Sequence, residues 1–476
     1  MWELPACASL PTVPEGRKKR IDPETLSRVG RTRECDRCSG RRNPFPLDFR
    51  NDSAVTRHRM LPSTLGRWLG REDREQALRR RAEAVLAQPW APFLWNNEPL
   101  RDVMPWYFAR GEGARLWDEN GREFIDLELG VGPTLLGHNH PVVREALLQH
   151  AGAPIVTSLL HRYEVEVAEL LTSLFPGAER VVFGKNGSDA CTAAARVARA
   201  ATGRNFILCH GFHGYHDWFA ADMGPLPGMV PGFAGYTKQF LPFNDVAALE
   251  ALADEHSHDL AAIMMEPAYR HLPQEGYLQA VRRIADKHGA LLIFDEMITA
   301  FRMHRGGAQT VYGVTPDLTC AGKSLANGLP LSALMGRKDV MEYVNKIFYG
   351  MTFQHDSVAL AVSRACLHYY RDHDVAGDVR RKGEKLRKIF NDASAAAGLT
   401  GRGVGLAARM DLDFTPVGHL GLHEQRIIFA RETIKRGVLP VRVAFPCEML
   451  TDADLDKVQR AFTHGCQKVA RALPRA

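Results

Sequence analysis

Apolar positions follow two alternating patterns over most of the chain. Beyond about residue 160, short runs of consecutive apolar residues alternate with segments in which apolar positions return every three or four residues. The runs predict buried strands at Arg180–Gly184, Asn205–Cys209, Leu260–Met265 and Ala290–Phe294, and the periodic segments predict helices at Asp189–Ala201 and Gln279–His288. Strands separated by helices predict an α/β fold with a mainly parallel central sheet and helices on both faces.

The pattern differs on either side of this region. A helix is predicted at Glu72–Leu86, and the turn Asn120-Gly121 predicts a hairpin within 113–126. After about Leu360, longer helices and short strands predict a smaller α+β C-terminal domain. The sequence therefore predicts four parts, namely a leader (1–70), an N-terminal segment (71–159), a large domain (160–360) and a small domain (361–476).

Composition is that of a globular protein. Of 476 residues, 45% are hydrophobic and 24% charged, and we expect no transmembrane helix because no stretch of about 18 uninterrupted apolar residues occurs. The first ten residues lack the pattern of a secretory signal. Nine cysteines at irregular spacing suit reduced thiols, so we expect a cytoplasmic protein.

The leader carries most of the net charge of +6. Residues 1–60 hold thirteen Lys or Arg against eight Asp or Glu, including one short basic run at Arg17–Arg20. A basic arm can bind nucleic acid, but this run lacks interleaved aromatic residues. We interpret 1–70 as a disordered, solvated extension, with Met60 as an alternative start. The single pair Cys35 and Cys38 does not predict a zinc site.

In open parallel sheets, ligands bind beyond the carboxyl ends of the strands, so the residues after each predicted strand are candidates for a binding site. Gly187 and Ser188 follow the first strand and begin a helix, which suits either a phosphate or an ordinary helix cap. The loop 210–218, rich in histidine and aromatic side chains, suits stacking on a flat ring or packing at the sheet edge. The spacing of His210, His213 and His216 is not a standard zinc pattern, so we expect no metal.

A carboxylate and a lysine follow two later strands. Asp295 ends a strongly apolar strand, where a cationic partner such as a protonated ring nitrogen would offset its desolvation; the alternative is a helix cap. Lys323 follows another apolar run, and a partly buried lysine of lowered pKa can form a Schiff base. A phosphate loop, a stacking platform, a ring-nitrogen partner and a Schiff-base lysine together meet the needs of pyridoxal 5′-phosphate (PLP).

These residues resemble those of the class III, fold-type I PLP-dependent aminotransferases, in particular the glutamate-1-semialdehyde aminotransferase group. The resemblance spans about Ala82 to Val458. It rests on GEGARLWDENGREFID (111–126), GPTLLGHNHP (132–141), NGSDA (186–190), FHG (212–214), DEMITAFR (295–302), Lys323 and MTF (351–353).

The resemblance implies a role for each matching residue. Asp295 binds the ring nitrogen, Phe212 stacks on the ring beside His213, and Gly187 and Ser188 bind the phosphate. Thr352 reaches the phosphate across a dimer interface, which implies a homodimer. Residues 71–159 are expected to contribute to the small domain and to the dimer interface, and 160–360 to form the large PLP-binding domain.

Two features of the substrate side follow from the same resemblance. Ile298 stands where ornithine-type members have a glutamine that contacts the ring hydroxyl, so that contact is missing. Arg402 resembles the arginine that binds a substrate carboxylate, with Arg302 and Arg442 as alternatives. Glu266 is interpreted as structural support.

The implied activity is a ping-pong transfer of an amino group from an amino donor to a small carbonyl compound, with Lys323 as the base. Specialised or amino-sugar metabolism is the expected setting. One alternative is an aminomutase of the glutamate-1-semialdehyde 2,1-aminomutase type, or an epimerase or racemase. A second is a catalytically silent binding subunit, against which the intact Lys323 and Asp295 argue. We expect small-molecule partners, and neither nucleic acid nor a membrane.

Overall fold

The structure is a computed structural model that describes residues 73–87, 98–220, 228–240, 242–417, 420–439 and 443–473. The expectations for the leader 1–70, for Met60 and for Arg442 lie outside the described residues. The strands are β1 (Phe108–Glu112), β2 (Arg115–Asp118), β3 (Glu123–Asp126), β4 (Arg180–Gly184), β5 (Phe206–His210), β6 (Thr237–Gln239), β7 (Leu260–Met265), β8 (Leu291–Asp295), β9 (Leu318–Ala321), β10 (Ser332–Gly336), β11 (Arg402–Leu406), β12 (Arg409–Asp413), β13 (Val438–Leu439) and β14 (Val443–Ala444).

The described helices lie between and beside these strands. The α-helices are α1 (Arg74–Val85), α2 (Pro141–His150), α3 (Arg162–Leu174), α4 (Gly187–Thr202), α5 (Asp217–Ala220), α6 (Val246–Glu255), α7 (Tyr277–His288), α8 (Gly307–Tyr312), α9 (Lys338–Met341), α10 (Ser357–Asp372), α11 (Val375–Ala396), α12 (Leu422–Ile434) and α13 (Asp452–Ala472). Short 3-10 helices cover Glu98–Leu100, Pro231–Tyr236, Lys323–Ala326 and Glu342–Lys346.

A seven-stranded sheet in the order β4-β10-β9-β8-β7-β5-β6 forms the centre. The pairs β5–β6, β5–β7, β7–β8 and β8–β9 are parallel, whereas β10 runs antiparallel to both of its neighbours. Successive side chains of a strand point to opposite faces. Accordingly, Ala262 and Met264 of β7 pack in the apolar cluster that contains α4, and Ile263 and Met265 pack in the cluster that contains α6 and α7. The predicted parallel sheet covered on both faces is confirmed.

Two smaller sheets lie outside the central one. The strands β11-β12-β14 form an antiparallel sheet, next to a core in which the rings of Phe390, Phe414, Phe429 and Phe462 contact one another. The predicted hairpin at Asn120-Gly121 is present as β2 and β3, and β3 pairs in parallel with β13. The N-terminal hairpin therefore shares a sheet with a strand more than 300 residues later, which no local pattern predicts.

Most element boundaries agree with the sequence to within two residues. β4 and β7 have the predicted bounds, while β5 and β8 each begin and end one residue later. The strand β1 was not predicted, because its residues Phe108–Glu112 are largely exposed and show no apolar alternation. The carboxyl ends of β8 and β9 meet at one edge of the sheet, since Asp295 pairs in register with Cys320. This edge carries the candidate site.

Candidate active site

Lys323 begins a 3-10 turn directly after β9 and Gly322. Its φ of +45° lies in the left-handed region, which is uncommon for a residue with a side chain and occurs where surroundings fix the backbone. Burial lowers the pKa of the Lys323 amine, and the charges of Asp295 and Glu266 offset only part of this effect. The turn therefore holds an amine that gives up its proton more readily than an exposed lysine does.

Asp295 is the last residue of β8 and is only 2% exposed. Its Oδ2 accepts a 2.8 Å hydrogen bond from Nδ1 of His213, and its Oδ1 accepts a 3.0 Å hydrogen bond from the Met297 N–H. Burial alone would raise the pKa of Asp295, but the hydrogen bond and charge of His213, together with the charge of Lys323, lower it overall. Asp295 is thus a buried carboxylate that stays ionised and can hold a cation.

The loop before α4 follows the carboxyl end of β4, a strand of the same central sheet. Asp189 accepts hydrogen bonds from the backbone N–H groups of Lys185 and Asn186, at 3.1 and 2.7 Å. The following amides, those of Gly187 and Ser188, lie in the first turn of a 16-residue helix, where N–H groups have no partner inside the helix. Such a turn favours an anion.

The histidine-rich loop is held against α4 by close backbone contact. The N–H of Tyr215 donates to Oγ of Ser188 at 3.3 Å, and a Cβ atom on Gly214 would lie 2.8 Å from Cβ of Ser188. The ring of Phe212 in this loop is 57% exposed, as a stacking platform must be. The loop thus brings Phe212 and His213 next to Ser188 and Asp295.

The three histidines of this loop do not share a site. Nδ1 of His210 lies 3.1 Å from the carbonyl oxygen of Phe240, and Nδ1 of His216 lies 2.8 Å from Oγ of Thr192. Among the described residues, one group has side-chain atoms close enough together to hold a metal, Cys191, His213 and Asp295. Because these side chains are hydrogen-bonded to one another, no metal is needed to explain the arrangement, and the absence of a metal stays a prediction.

Glu266 follows β7 and is buried. Its Oε1 accepts a 2.9 Å hydrogen bond from the N–H of Phe212, which anchors the aromatic loop. Burial and the neighbouring Asp295 raise the pKa of Glu266. The expectation that Glu266 supports the site fits these contacts.

Arg302, a candidate for binding substrate, has a fully buried guanidinium group. It donates to the carbonyl oxygens of Ile298, Ala408 and Gly132 and to Oγ of Ser324. Arg302 thereby links Ser324, the residue after Lys323, to Ile298 in the turn that follows Asp295. The contacts suit an internal clamp better than a substrate ligand.

The remaining predicted residues have other surroundings. Ile298 is buried in the apolar cluster of the C-terminal region, together with Leu129 and Phe445. Thr352 lies in an exposed turn, and Arg402 is the exposed first residue of β11. The contacts above therefore relate Gly187, Ser188, Phe212, His213, Asp295 and Lys323, and the roles of Thr352 and Arg402 stay predictions.

Cys191 and Cys320 were not predicted to belong to the site. Sγ of Cys191 lies 3.4 Å from Oδ2 of Asp295, and Cys320 is the cross-strand neighbour of Asp295. The one available signal was spacing, because Cys191 comes three residues after Ser188 and so lies on the same face of α4.

The fold and these side chains define an enzyme site with a poised lysine, a buried anion and an anion-binding helix end. The sequence pattern of the family "Aminotransferase class-III" matches residues 98–421. The glutamate-1-semialdehyde 2,1-aminomutase of Roseiflexus castenholzii is 37% identical over 341 residues, 67% of this chain and 78% of its own. That of Ignicoccus hospitalis is 36% identical over 320 residues, 63% of this chain and 76% of its own.

Two solved structures share the fold and more than a quarter of the aligned residues. The FumI protein of Sphingopyxis sp. MTA144, solved with PLP, has a TM-score of 0.76 at 26% identity, covering 84% of this chain and 98% of its own. A β-phenylalanine aminotransferase from Variovorax paradoxus has a TM-score of 0.74 at 26% identity, covering 86% and 97%. The chain belongs to the class III aminotransferases, and the predicted fold type, enzyme class and PLP cofactor are confirmed.

The chemistry of the site fits PLP. The cofactor offers a phosphate, a flat aromatic ring, a ring nitrogen that can carry a proton and an aldehyde. The corresponding groups here are the first turn of α4, the exposed ring of Phe212, the ionised carboxylate of Asp295 and the amine of Lys323. As a separate observation, none of the helices in the described part of the chain is long and apolar enough to cross a membrane.

Proposed function

We propose that Lys323 carries PLP in this aminotransferase and that the enzyme moves an amino group from an amino donor to a small carbonyl substrate in two half-reactions. The observation that carries this proposal is the pairing of a buried lysine of lowered pKa with a buried, ionised aspartate at the ends of adjacent strands. A lysine in that setting loses its proton, and so becomes a nucleophilic amine, more readily than an exposed lysine does.

When bound, PLP supplies an aldehyde that condenses with amines and a ring that accepts an electron pair. The residues of this chain then have distinct tasks. Asp295 keeps a proton on the ring nitrogen, Phe212 covers the ring, and the amides of Gly187 and Ser188 bind the phosphate. Nζ of Lys323, once free of the cofactor, would move a proton between the substrate Cα and C4′ of the cofactor within each half-reaction.

We propose that the enzyme is a homodimer in which Thr352 completes the partner's phosphate site. Exposed apolar side chains lie close to Thr352 in the chain, with Phe348 94% exposed and Phe353 also exposed. The N–H of Ser357 donates to the carbonyl oxygen of Ile155, which places a second exposed apolar segment, Ile155–Leu160, beside them. Apolar surface of this extent favours burial against another subunit.

The finer assignments follow from the same contacts. Arg402 is proposed to bind a substrate carboxylate, because its side chain lies on an exposed strand end, whereas Arg302 is occupied by internal acceptors. We retain the four-part division with boundaries after residues 70, 159 and 360. Within it, the pairing of β3 with β13 links the N-terminal segment to the C-terminal domain. A cytoplasmic location is proposed because six of the nine cysteines are described and each is a buried free thiol.

The second candidate function is an aminomutase, which returns the amino group to its own substrate. The observation that favours it is the name of the relatives from Roseiflexus castenholzii and Ignicoccus hospitalis. The two functions differ in stoichiometry. An aminotransferase stalls after one half-reaction without a second carbonyl substrate, whereas an aminomutase continues to turn over.

The proposed function is tested with purified protein loaded with PLP. Borohydride reduction followed by peptide mass mapping should find the cofactor on Lys323, and Lys323→Ala should lose both the adduct and turnover. The matched control Lys287→Ala removes an exposed lysine of a surface ion pair and should keep both. A panel of amine donors, followed by the change from aldehyde to amine absorbance, identifies the donor class. An adduct on another lysine, or full activity of Lys323→Ala, would contradict the assignment.

A further inference from the structure

Two buried cysteines stand behind the carboxylate proposed to face the ring of PLP. Sγ of Cys191 lies 3.4 Å from Oδ2 of Asp295, within the range of a hydrogen bond that involves sulfur. Both thiols are almost wholly buried in the cluster between α4 and the sheet. Cys320 is hydrogen-bonded to Cys191 and occupies the position in β9 opposite Asp295.

The direction of these hydrogen bonds follows from charge. The hydrogen bond with Cys320, burial and the charge of Asp295 raise the pKa of Cys191, and burial raises that of Cys320, so both remain thiols with one S–H donor each. A carboxylate is a stronger acceptor than a thiol sulfur. The S–H of Cys191 therefore points to Oδ2 of Asp295.

We propose that Cys191 is a positioning residue for Asp295, and that its thiol weakens the basicity of Asp295 and so leaves the shared proton on the ring nitrogen of PLP. The proposal rests on the proposed function, because it takes Asp295 as the partner of that nitrogen. It goes beyond it in assigning a role to a residue outside the family motifs.

The physical effect is that of a donor on a carboxylate. Each hydrogen bond to the ionised form favours that form and lowers its affinity for a proton. Oδ2 already accepts from His213, and Cys191 adds a second donor on the same oxygen, while Oδ1 accepts from the Met297 N–H. The titratable or charged groups that surround Asp295 are His213, Cys191, Cys320, Lys323 and Glu266.

The experiment uses the holoenzyme with PLP labelled with ¹⁵N at the ring nitrogen, and nuclear magnetic resonance to report whether that nitrogen is protonated. In Cys191→Ala the loss of one donor should raise the pKa of Asp295 and move the ¹⁵N shift toward that of an unprotonated pyridine. The kcat should fall roughly 3- to 10-fold. Cys191→Ser keeps a donor and should retain the wild-type shift.

A further variant controls for the loss of a buried thiol as such. Cys366→Ala is the matched control, since it removes a buried thiol in the cluster around α10, away from Asp295.

The outcomes separate this proposal from its alternatives. Equal ¹⁵N shifts in wild type and Cys191→Ala, or equal shifts in Cys191→Ala and Cys191→Ser, would overturn it. One zinc ion per chain in the purified holoenzyme, lost in Cys191→Ala, would also overturn it, because the thiol would then be a ligand. If Cys191→Ala does not fold, Cys191→Val, which also lacks a donor, takes its place in the comparison with Cys191→Ser. A wild-type protein without PLP on Lys323 would instead refute the proposed function.

Discussion

Nδ1 of His213 donates a 2.8 Å hydrogen bond to Oδ2 of Asp295, and neither residue is more than 2% exposed. The pair joins the loop after β5 to the end of β8, across 82 residues of sequence. A charged hydrogen bond in such a dry setting is strong, and it fixes the carboxylate before any cofactor arrives.

The first prediction concerns this carboxylate. Asp295→Asn removes the negative charge that holds a proton on the ring nitrogen, so the half-reaction with an amine donor should slow by roughly 100- to 1000-fold. Stopped-flow absorbance measures this rate. Asp286→Asn, which removes an exposed carboxylate from α7, is the control and should react at the wild-type rate. An Asp295→Asn enzyme as fast as wild type would remove Asp295 from the mechanism.

The second prediction tests the contact between the aromatic loop and α4. Gly214 has a φ of +107°, and a Cβ atom there would lie 2.8 Å from Cβ of Ser188. Gly214→Ala should therefore lower the free energy of unfolding by about 1–3 kcal/mol through overpacking. The strain of a side chain at this positive φ adds to that loss. The same substitution should weaken PLP binding.

Gly228→Ala is the control for that strain. Gly228 has a φ of +87°, but a Cβ atom there would meet nothing within 4 Å. Thermal unfolding and equilibrium dialysis with PLP compare the two variants. Equal effects of both substitutions would show that the close approach to Ser188 is unimportant.

The third prediction concerns the ionisation of Lys323. In the apoprotein, the rate at which Lys323 reacts with an amine reagent should rise with pH and then level off. Because burial lowers the pKa of the amine, the midpoint of this rise should lie below 10.5. Lys287 is an internal reference, since the hydrogen bonds that it donates to Asp254 and Glu250 raise the pKa of its amine. Peptide mass mapping over a pH series gives both midpoints. A midpoint for Lys323 at or above that of Lys287 would mean that the site does not poise the amine.

The fourth prediction concerns the exposed apolar segment beside Thr352. Leu159 is 78% exposed, and Leu159→Glu should convert the proposed dimer into monomers and weaken PLP retention, because the partner's Thr352 segment is then lost. Light scattering during size-exclusion chromatography measures the mass. Val85→Glu places the same charge at an equally exposed apolar residue at the end of α1 and should leave the mass unchanged. A wild-type monomer that holds PLP tightly would rule out the composite site.

The fifth prediction separates the two arginines. Arg402→Gln should raise KM for amino donors that carry a carboxylate by about 10- to 100-fold, since a charged, bidentate contact is lost. Donors without a carboxylate should react as with wild type and are the control. Arg302→Gln should instead reduce the folded fraction, because it removes the guanidinium hydrogen bonds to the buried carbonyl oxygens of Gly132, Ile298 and Ala408. An unchanged KM for every donor would show that Arg402 does not bind the carboxylate.

The sequence by itself determined the local elements and the chemistry at their ends. Runs such as Leu260–Met265 are apolar at every position, so they predict buried strands without reference to any partner. The order of strands and helices then places Asp295 and Lys323 at the same sheet edge, because parallel strands end on the same side. Enough motif residues surround them to predict the family and the cofactor.

The tertiary structure decided which groups contact these residues. Cys191 lies 104 residues from Asp295, and Arg302 lies 170 residues from the carbonyl of Gly132, so no short-range periodicity relates them. Burial is likewise a property of the packed chain: it leaves Phe212 exposed while it encloses Arg302, although both were candidate ligands. Periodicity is set by each residue's neighbours along the chain, whereas donors, acceptors and desolvation are set by segments that meet only on folding.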